Sequence, residues 1–494
     1  MIFRSCLRVA ALGASLASAI PLSSALGQIA HEVEVNRRQV DNSTFRFLNG
    51  NTQPFQVKSL PDVPFNLGEM YSGLMPIVTG DSSRELFFIF QPTTGEPVDE
   101  LTVWLNGGPG CSSLEGFFQE NGLFLWQAGD VTPSENPYSW VKETNMLWVE
   151  QPVGTGYTQG VATATSEEDI AQDFINFFKN FQTTFGISNF KIYVTGESYA
   201  GRYVPYISAA ILNQQDPTHF DLRGAMVYDP CIGQFDYVQE QVPTYDFVRA
   251  HADIFQFDND FMSQLESMHV SCGYKDFQEK YYAFPPAGVQ PNVRTKSNCD
   301  IFNTAANQAQ QINQCFNIYE VNQTCPTPQD PMVDNMFDSS NGKTNYFNRD
   351  DVKEALHAPS DVQWTECSNS PVFVGRGGPE GEGDLSLDSI IKVLPQVIEA
   401  TNRTLVINGD LDMIIITNGT LMAIQNMTFN GYMGFQQEPN TPINIDGLGE
   451  AGRYHIERGL LWGETYNSGH MGPEYQPAVS LRHLQWMRGV IEEL

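Results

Sequence analysis

The stretch KIYVTGESYAGRYVP at 191–205 constrains this chain more than any other. Its first residues alternate apolar and β-branched side chains as a strand does, and Gly196 then opens a sharp turn. From Ala200 the run AGRYVPYISAAIL continues as a helix, with Pro205 fitted into an early turn. A serine lodged between a strand and a helix is the nucleophile-elbow arrangement, in which a strained turn lifts Oγ clear of the sheet. The usual G-x-S-x-G pattern puts glycine two residues after the serine; here Ala200 stands there and Gly201 follows. Such a motif is common by itself, so Ser198 counts as a nucleophile only if partners exist elsewhere.

Strand-like runs lie on both sides of it. ELFFIFQPT, LTVWLNGG and NMLWVEQP come before, separated from the elbow by a helical segment, EEDIAQDFINFFKNFQTTF, that Ser166 caps. LRGAMVYDP follows, and RTLVINGDLD and GLLWGETYNSGHMGP come late, before a closing helix, AVSLRHLQWMRGVIEEL. Strands alternating with helices predict an α/β core with a mostly parallel sheet. Between them, 233–348 loses that rhythm, is rich in Gln, Asn and aromatic residues, and holds four cysteines. It reads as a mainly helical, disulfide-stapled cap insertion. The expected divisions are a signal peptide at 1–27, an irregular arm or pro-segment at 28–61, core at 62–232, cap at 233–348 and core again at 349–494.

The compartment follows from the first residues. Arg4 and Arg8 precede an apolar, small-residue run and small-residue cleavage sites near Ala25 or Gly27, the pattern of a secretory signal. Five sequons, at Asn42, Asn322, Asn402, Asn418 and Asn426, fit N-glycosylation on that route. Without Cys6 an odd number of cysteines remains, which predicts disulfides plus one free thiol. A secreted protein is therefore expected, in preference to a vacuolar one. No later stretch is apolar enough to span a bilayer, and a net charge of −31 argues against nucleic acid and anionic membrane as partners.

A serine hydroxyl needs a base to take its proton and a carboxylate to orient that base. In the α/β-hydrolase order, acid and then histidine follow the serine on loops after late strands. After the strand TLVIN the loop offers Asp410 and Asp412, and SGHMGP sets His470 in a Gly-flanked loop. A lone loop histidine is more often structural, but three candidates in the required order reverse those odds. The oxyanion hole requires a backbone N–H after the nucleophile, from Tyr199, and another from an early Gly-rich loop. WLNGGPGCSS at 104–113 supplies such a loop after a strand. No cofactor is required and no metal is expected: HEVE at His31 has an H-x-x-E spacing but lies in the irregular arm without a distant ligand.

Taken together, WLNGGPGCSS, WVEQPVGTGYT (148–158), GESYAGRYVP (196–205), DVKEALHAP (351–359), INGDLDMII (407–415) and SGHMGP (468–473) resemble the serine carboxypeptidases of the α/β-hydrolase fold, in the style of secreted filamentous-fungal enzymes. The resemblance implies Ser198 as nucleophile, His470 as base and then acid, Asp412 rather than Asp410 as orienting acid, and Gly108 and Tyr199 as oxyanion donors. It also implies that Asn106, Gly107, Glu197 and Glu120 hold the C-terminal carboxylate of a peptide or protein substrate. Two glutamates beside a carboxylate are tolerable if crowding keeps one protonated, so binding is expected to be best in acid. Met471, Glu115 and Gln119 map onto the pocket for the leaving residue, and Glu115 suggests tolerance of Lys or Arg. Departures from the family pattern, Gly472 after GHM and Leu123 after ENG, miss the triad but bear on that pocket. By the same resemblance Cys111 pairs with Cys367. Three pairings are open to the insertion's cysteines; Cys272–Cys325 with Cys299–Cys315 is favoured, leaving Cys231 as the free thiol.

Overall fold

The computed structural model describes residues 45–340, 342–376 and 383–494; the N-terminal apolar segment and Asn42 lie outside them. Ten strands form one sheet. In chain order they are β1 (Tyr71–Val78), β2 (Asp81–Gln91), β3 (Glu100–Leu105), β4 (Asn145–Glu150), β5 (Lys191–Glu197), β6 (Asp221–Tyr228), β7 (Thr404–Gly409), β8 (Thr441–Ile445), β9 (Gly449–Glu457) and β10 (Leu460–Thr465). The spatial order is β1-β2-β4-β3-β5-β6-β7-β10-β9-β8. From β4 to β10 every neighbour is parallel, and antiparallel strands close both edges. This is the α/β-hydrolase architecture.

The central strands are buried on both faces, which explains their nearly continuous apolar runs. Leu101, Val103 and Leu105 of β3 point into one core while Trp104 points into the other. On the first face lies α1 (Glu167–Phe185), whose N-terminus Ser166 caps by accepting from the Asp169 N–H. Its Phe174, Phe177, Phe178, Phe181 and Phe185 recur at helical spacing and pack with Phe88 and Phe90 of β2. Beside it lies α2 (Ala200–Asn213), which contains Pro205. Proline has no N–H for the Gly201 carbonyl four residues back, and the Ser389 hydroxyl donates to that carbonyl instead, at 2.7 Å.

Three sequence expectations need adjustment. The irregular arm, from residue 45 on, is packed into the body: Phe47, Val57 and Leu60 are buried and Phe47 stacks edge-on against Phe90. The closing helix stops at Met487, and Gly489 follows with φ of 73°. The insertion's disulfides are Cys272–Cys299 and Cys315–Cys325, not Cys272–Cys325 and Cys299–Cys315. Cys299 and Cys315 lie beyond opposite ends of the helix Ile301–Ile312, whose 12 residues rise about 18 Å, several times the span of a disulfide. Cys111 is bonded to Cys367, and Cys231 is free and buried.

Between β6 and Asn348 helices alternate with long irregular stretches and a short hairpin; Thr244–Ala250, Asn259–Ser271, Tyr274–Tyr281 and Ile301–Ile312 are the longer α-helices. Their apolar faces form a third core together with Leu411 and Met413–Ile416, the loop that leaves β7. The insertion thus rests on the loop that carries both candidate acids.

Candidate active site

β5 ends at Glu197, and Ser198 turns the chain into α2 with φ of 61°. A serine in the left-handed region stores strain and needs its surroundings to hold it there. Its N–H donates to the Tyr228 carbonyl at 2.8 Å, and its carbonyl accepts from Gly201 at 2.9 Å and Cys231 at 3.0 Å. The displaced glycine of the motif has a direct cause. A Cβ at Gly201 would lie 2.7 Å from the Cys231 backbone and from Pro230, so glycine is needed at that position. Residue 200 accommodates a methyl group.

The early Gly-rich loop lies against this elbow. A Cβ at Gly107 would meet the Tyr199 nitrogen at 2.5 Å and the Ser198 Cβ at 2.7 Å, so only glycine lets the two loops touch. That contact brings the Gly108 segment and the Tyr199 N–H to the nucleophile. The loop's far end is fixed by the Cys111–Cys367 disulfide and by Ser112 N–H donating to the Glu366 carbonyl at 2.7 Å.

His470 and Asp412 meet behind it. The imidazole Nδ1 is 2.8 Å from Asp412 Oδ2, and both residues are buried. Asp412 also accepts from the Ile414 N–H at 2.8 Å and the Ile415 N–H at 3.2 Å. Burial disfavours the imidazolium, but the charge and hydrogen bond of Asp412 outweigh it and raise the His470 pKa. Asp410 is not part of this contact. It accepts from the Ser468 N–H at 3.2 Å, and burial pushes its carboxyl up to about 7. The insertion steadies both loops: the Tyr319 carbonyl accepts from the His470 N–H at 2.8 Å, and the Ile318 carbonyl from the Met413 N–H at 3.0 Å. Among the described residues, the one cluster with metal-ligating potential is Asp229, Asp412 and His470, which lies within this same site.

Asn106 joins the acids around the nucleophile. Its amide donates to Glu197 at 2.8 Å, Glu115 at 3.2 Å and Glu120 at 3.3 Å, while its oxygen accepts from Trp104 Nε1 at 2.7 Å. One amide cannot neutralise three carboxylates. Oε2 of both Glu120 and Glu197 is buried without a donor, so the two carboxyls cannot both be ionised without an uncompensated charge. Burial lifts Glu197 to about 7, against the opposing pull of His470. Burial and then the Glu197 charge push Glu120 well above the carboxylate range.

Glu120 and Gln119 reach this position on an irregular turn of π-helix, Gly116–Glu120. Gln119 donates to Asp330 at 2.9 Å and to the Trp126 carbonyl at 3.1 Å. Met471 directly follows the histidine and starts the short helix Gly472–Tyr475, which carries Glu474. Glu115 is half-buried, and after burial itself the charges of Glu197, Glu366, Glu474 and Asp330 raise its pKa. Glu366, Glu474 and Asp330 were not singled out in the sequence. Glu366 beside Cys367 and Glu474 four residues after His470 were signals of proximity, whereas nothing around Asp330 pointed there.

Comparison with known proteins gives the family. The serine carboxypeptidase (peptidase S10) family model matches residues 61–489. The chain is 54% identical to serine-type carboxypeptidase F of Aspergillus niger, over 99% of both chains. It is 43% identical to a probable serine carboxypeptidase of Arthroderma benhamiae, over 90% of this chain and 88% of that one. The fold is similar to that of Kex1(delta)p, a prohormone-processing carboxypeptidase of Saccharomyces cerevisiae, with a TM-score of 0.68, 24% identity and coverage of 89% and 96%. The chain belongs to the serine carboxypeptidase family, and is a serine-type hydrolase acting as an exopeptidase.

Proposed function

We propose that the protein is a secreted carboxypeptidase that releases single residues from the C-termini of peptides and proteins through an acyl-enzyme, most effectively in acid. The observation that carries this reading is the Asn106 amide joining Glu197 and Glu120 beside Ser198. Ser198 Oγ attacks the carbonyl of the last peptide bond while His470 takes its proton. The tetrahedral oxyanion is received by the Gly108 and Tyr199 N–H groups. The C–N bond then breaks, His470 protonates the leaving amine, and an ester on Ser198 remains. Water attacks that ester with His470 as base, freeing the shortened peptide and restoring the serine. Asp412 orients the imidazole and stabilises its charged form.

The substrate carboxylate sits against Asn106, the Gly107 backbone, and Glu197 and Glu120, of which one keeps a proton. A protonated glutamate donates a hydrogen bond to it, whereas two ionised ones repel it, so KM for peptides rises as pH increases through about 7. Beyond this clamp, Met471, Gln119 and Glu115 line the pocket for the leaving side chain. Glu115, Glu366, Glu474 and Asp330 act on one another electrostatically, and that concentration of carboxyls supports acceptance of Lys or Arg. Three disulfides and the apolar N-terminal segment support secretion. No helix among the described residues is long and apolar enough to cross a membrane. Asn322 and Asn402 are exposed and better placed as glycan acceptors than Asn418 or Asn426, which are half-buried.

Digestion of a peptide library by the wild type and Ser198→Ala, with products weighed by mass spectrometry, tests the reading. Stepwise loss from C-termini by the wild type alone is expected. Internal cleavage, or equal activity of the alanine variant, would overturn it.

A further inference from the structure

A carboxyl that the mechanism above does not use lies within the same buried cluster. Asp229 directly follows β6, the strand beside the nucleophile strand, and is fully buried with φ of 39°. One carboxylate oxygen of Asp229, one of Asp412 and a ring nitrogen of His470 all fall within 4.8 Å of one another. The two aspartates are supplied unequally. Asp412 accepts from His470, Ile414 and Ile415. Asp229 accepts only on Oδ1, from the Gly409 N–H at 2.9 Å and the Asn408 amide at 3.2 Å, and its Oδ2 is buried with no donor.

We infer that Asp229 is a positioning residue that works as a neutral acid: it holds the end of β7 through Asn408 and Gly409, and it keeps its proton so that Asp412 alone carries charge toward His470. The inference rests on the proposed triad. Two carboxylates this close in a dry site cannot both ionise at neutral pH, and the proton settles on the one with fewer donors. Burial, and next the Asp412 charge, push Asp229 well above the carboxylate range. Groups facing it from each neighbouring element agree. The β7 loop contributes Asp412, the elbow Glu197 and the late loop His470, while the helix Thr417–Gln425 brings no charged side chain. Cys231, two residues on, is a buried thiol whose burial pushes its pKa up, so it supplies no charge either.

The positioning path is continuous. The Asn408 amide that donates to Asp229 also reaches the Ile415 carbonyl and Thr420 Oγ1, both at 3.2 Å. Ile415 in turn gives its N–H to Asp412. Asp229 therefore fixes the base of the loop that presents Asp412.

The test uses Asp229→Asn and Asp229→Ala with an N-acyl amino-acid methyl ester, which has no free carboxylate for Glu197 and Glu120 to bind. Asparagine keeps the acceptor and a neutral charge. The midpoint of the acid limb of kcat/KM, which reports His470, is expected to stay within about 0.3 pH unit of the wild type. Were Asp229 ionised, losing a charge so near the imidazole would lower that midpoint by about one unit or more, and the inference would fail. Alanine removes the acceptor of two hydrogen bonds; kcat is expected to fall about tenfold with KM little changed, and asparagine to recover most of the loss. An alanine variant as active as the wild type would remove the positioning role.

If the alanine variant does not fold, Asp229→Asn decides by a second measurement. A protonated buried acid costs stability increasingly as pH rises above the unfolded-state pKa, so the Tm advantage of the asparagine variant must grow between about pH 4.5 and 7. A constant or absent advantage would refute the retained proton. Fluorophosphonate labelling of Ser198 and ester hydrolysis by the wild type separate the two ideas. If both fail, the triad reading fails; if both succeed and the asparagine results go the other way, only the role of Asp229 does.

Discussion

Glu120–Glu197 and Asp229–Asp412 are both buried acid pairs that bear on His470, and they differ in what supplies them with donors. The glutamates share one Asn106 amide, and each keeps an oxygen that no donor reaches. In the aspartate pair one member takes three donors and the other leaves an oxygen empty. The first pair is therefore short of donors on both members and the second on only one. A donor-poor pair that holds a proton suits a surface that must meet a substrate carboxylate, and a proton localised on one aspartate suits a charge that must stay on the other, opposite an imidazole. Similar burial thus gives two functions, according to how hydrogen-bond donors are distributed.

The comparison is broken most severely by neutralising the charged member of the second pair. Asp412→Asn keeps the shape but deprives His470 of its counter-charge and favours the wrong tautomer. A fall of about 10⁴ in kcat is expected, with KM for peptides nearly unchanged. Steady-state kinetics on one peptide checks both. A loss mainly in KM would mean that the two pairs do not divide the work as described.

Neutralising the first pair acts on KM. In the wild type, KM for peptides is expected to rise about tenfold between pH 4.5 and 8 as Glu197 ionises from its raised pKa of about 7. Glu197→Gln is expected to remove most of that rise, and esters without a free carboxylate to show none of it. A flat wild-type KM over that range would eliminate the protonated clamp. A smaller effect is expected one residue further out. Glu115→Gln removes one of several carboxyls near the leaving side chain, so release of C-terminal Lys relative to Leu is expected to fall about three- to tenfold. An unchanged ratio would detach the acidic pocket from specificity.

Legibility in the sequence follows how local each determinant is. The central strands were readable because burial on both faces leaves unbroken apolar runs, and α1 because its phenylalanines keep helical spacing. The edge strand β1 was missed. It carries Gly73 and Pro76, which an edge tolerates and a local pattern does not advertise. Ser198, Asp412 and His470 were legible from chain order and motif. Choosing Asp412 over Asp410 needed either the family resemblance or the fold, since both occupy the same loop and only one faces the imidazole. Asp229 was invisible because its significance lies in what β7 brings beside it, 180 residues later in the chain. The insertion's disulfides failed for a related reason: the pairing depends on a helix standing between Cys299 and Cys315, and cysteine spacing contains no such length.

The smallest expected effect is on stability, and it extends the comparison to the whole molecule. Burial raises Glu150, Glu197, Glu366 and Asp410 each to about 7 in the folded protein. In the unfolded chain the same groups titrate near 4. Between those limits the unfolded state has released protons that the folded state retains, so stability falls as pH rises. Below about pH 4 both states are protonated and this contribution is flat; above about 7 it is fully lost. Tm is therefore expected to be highest in acid and to decline by some degrees from about pH 4.5 to 7. Glu150 makes the sharpest single test because it lies outside both pairs: it accepts from Ser112, the Tyr157 N–H and Trp364. Glu150→Gln keeps much of that bonding and removes the proton, so its slope of Tm against pH is expected to be shallower than the wild type's. A wild-type Tm that rises from acid to neutral pH would mean that these carboxyls are ionised in the folded protein, and the account of both pairs would have to be reversed.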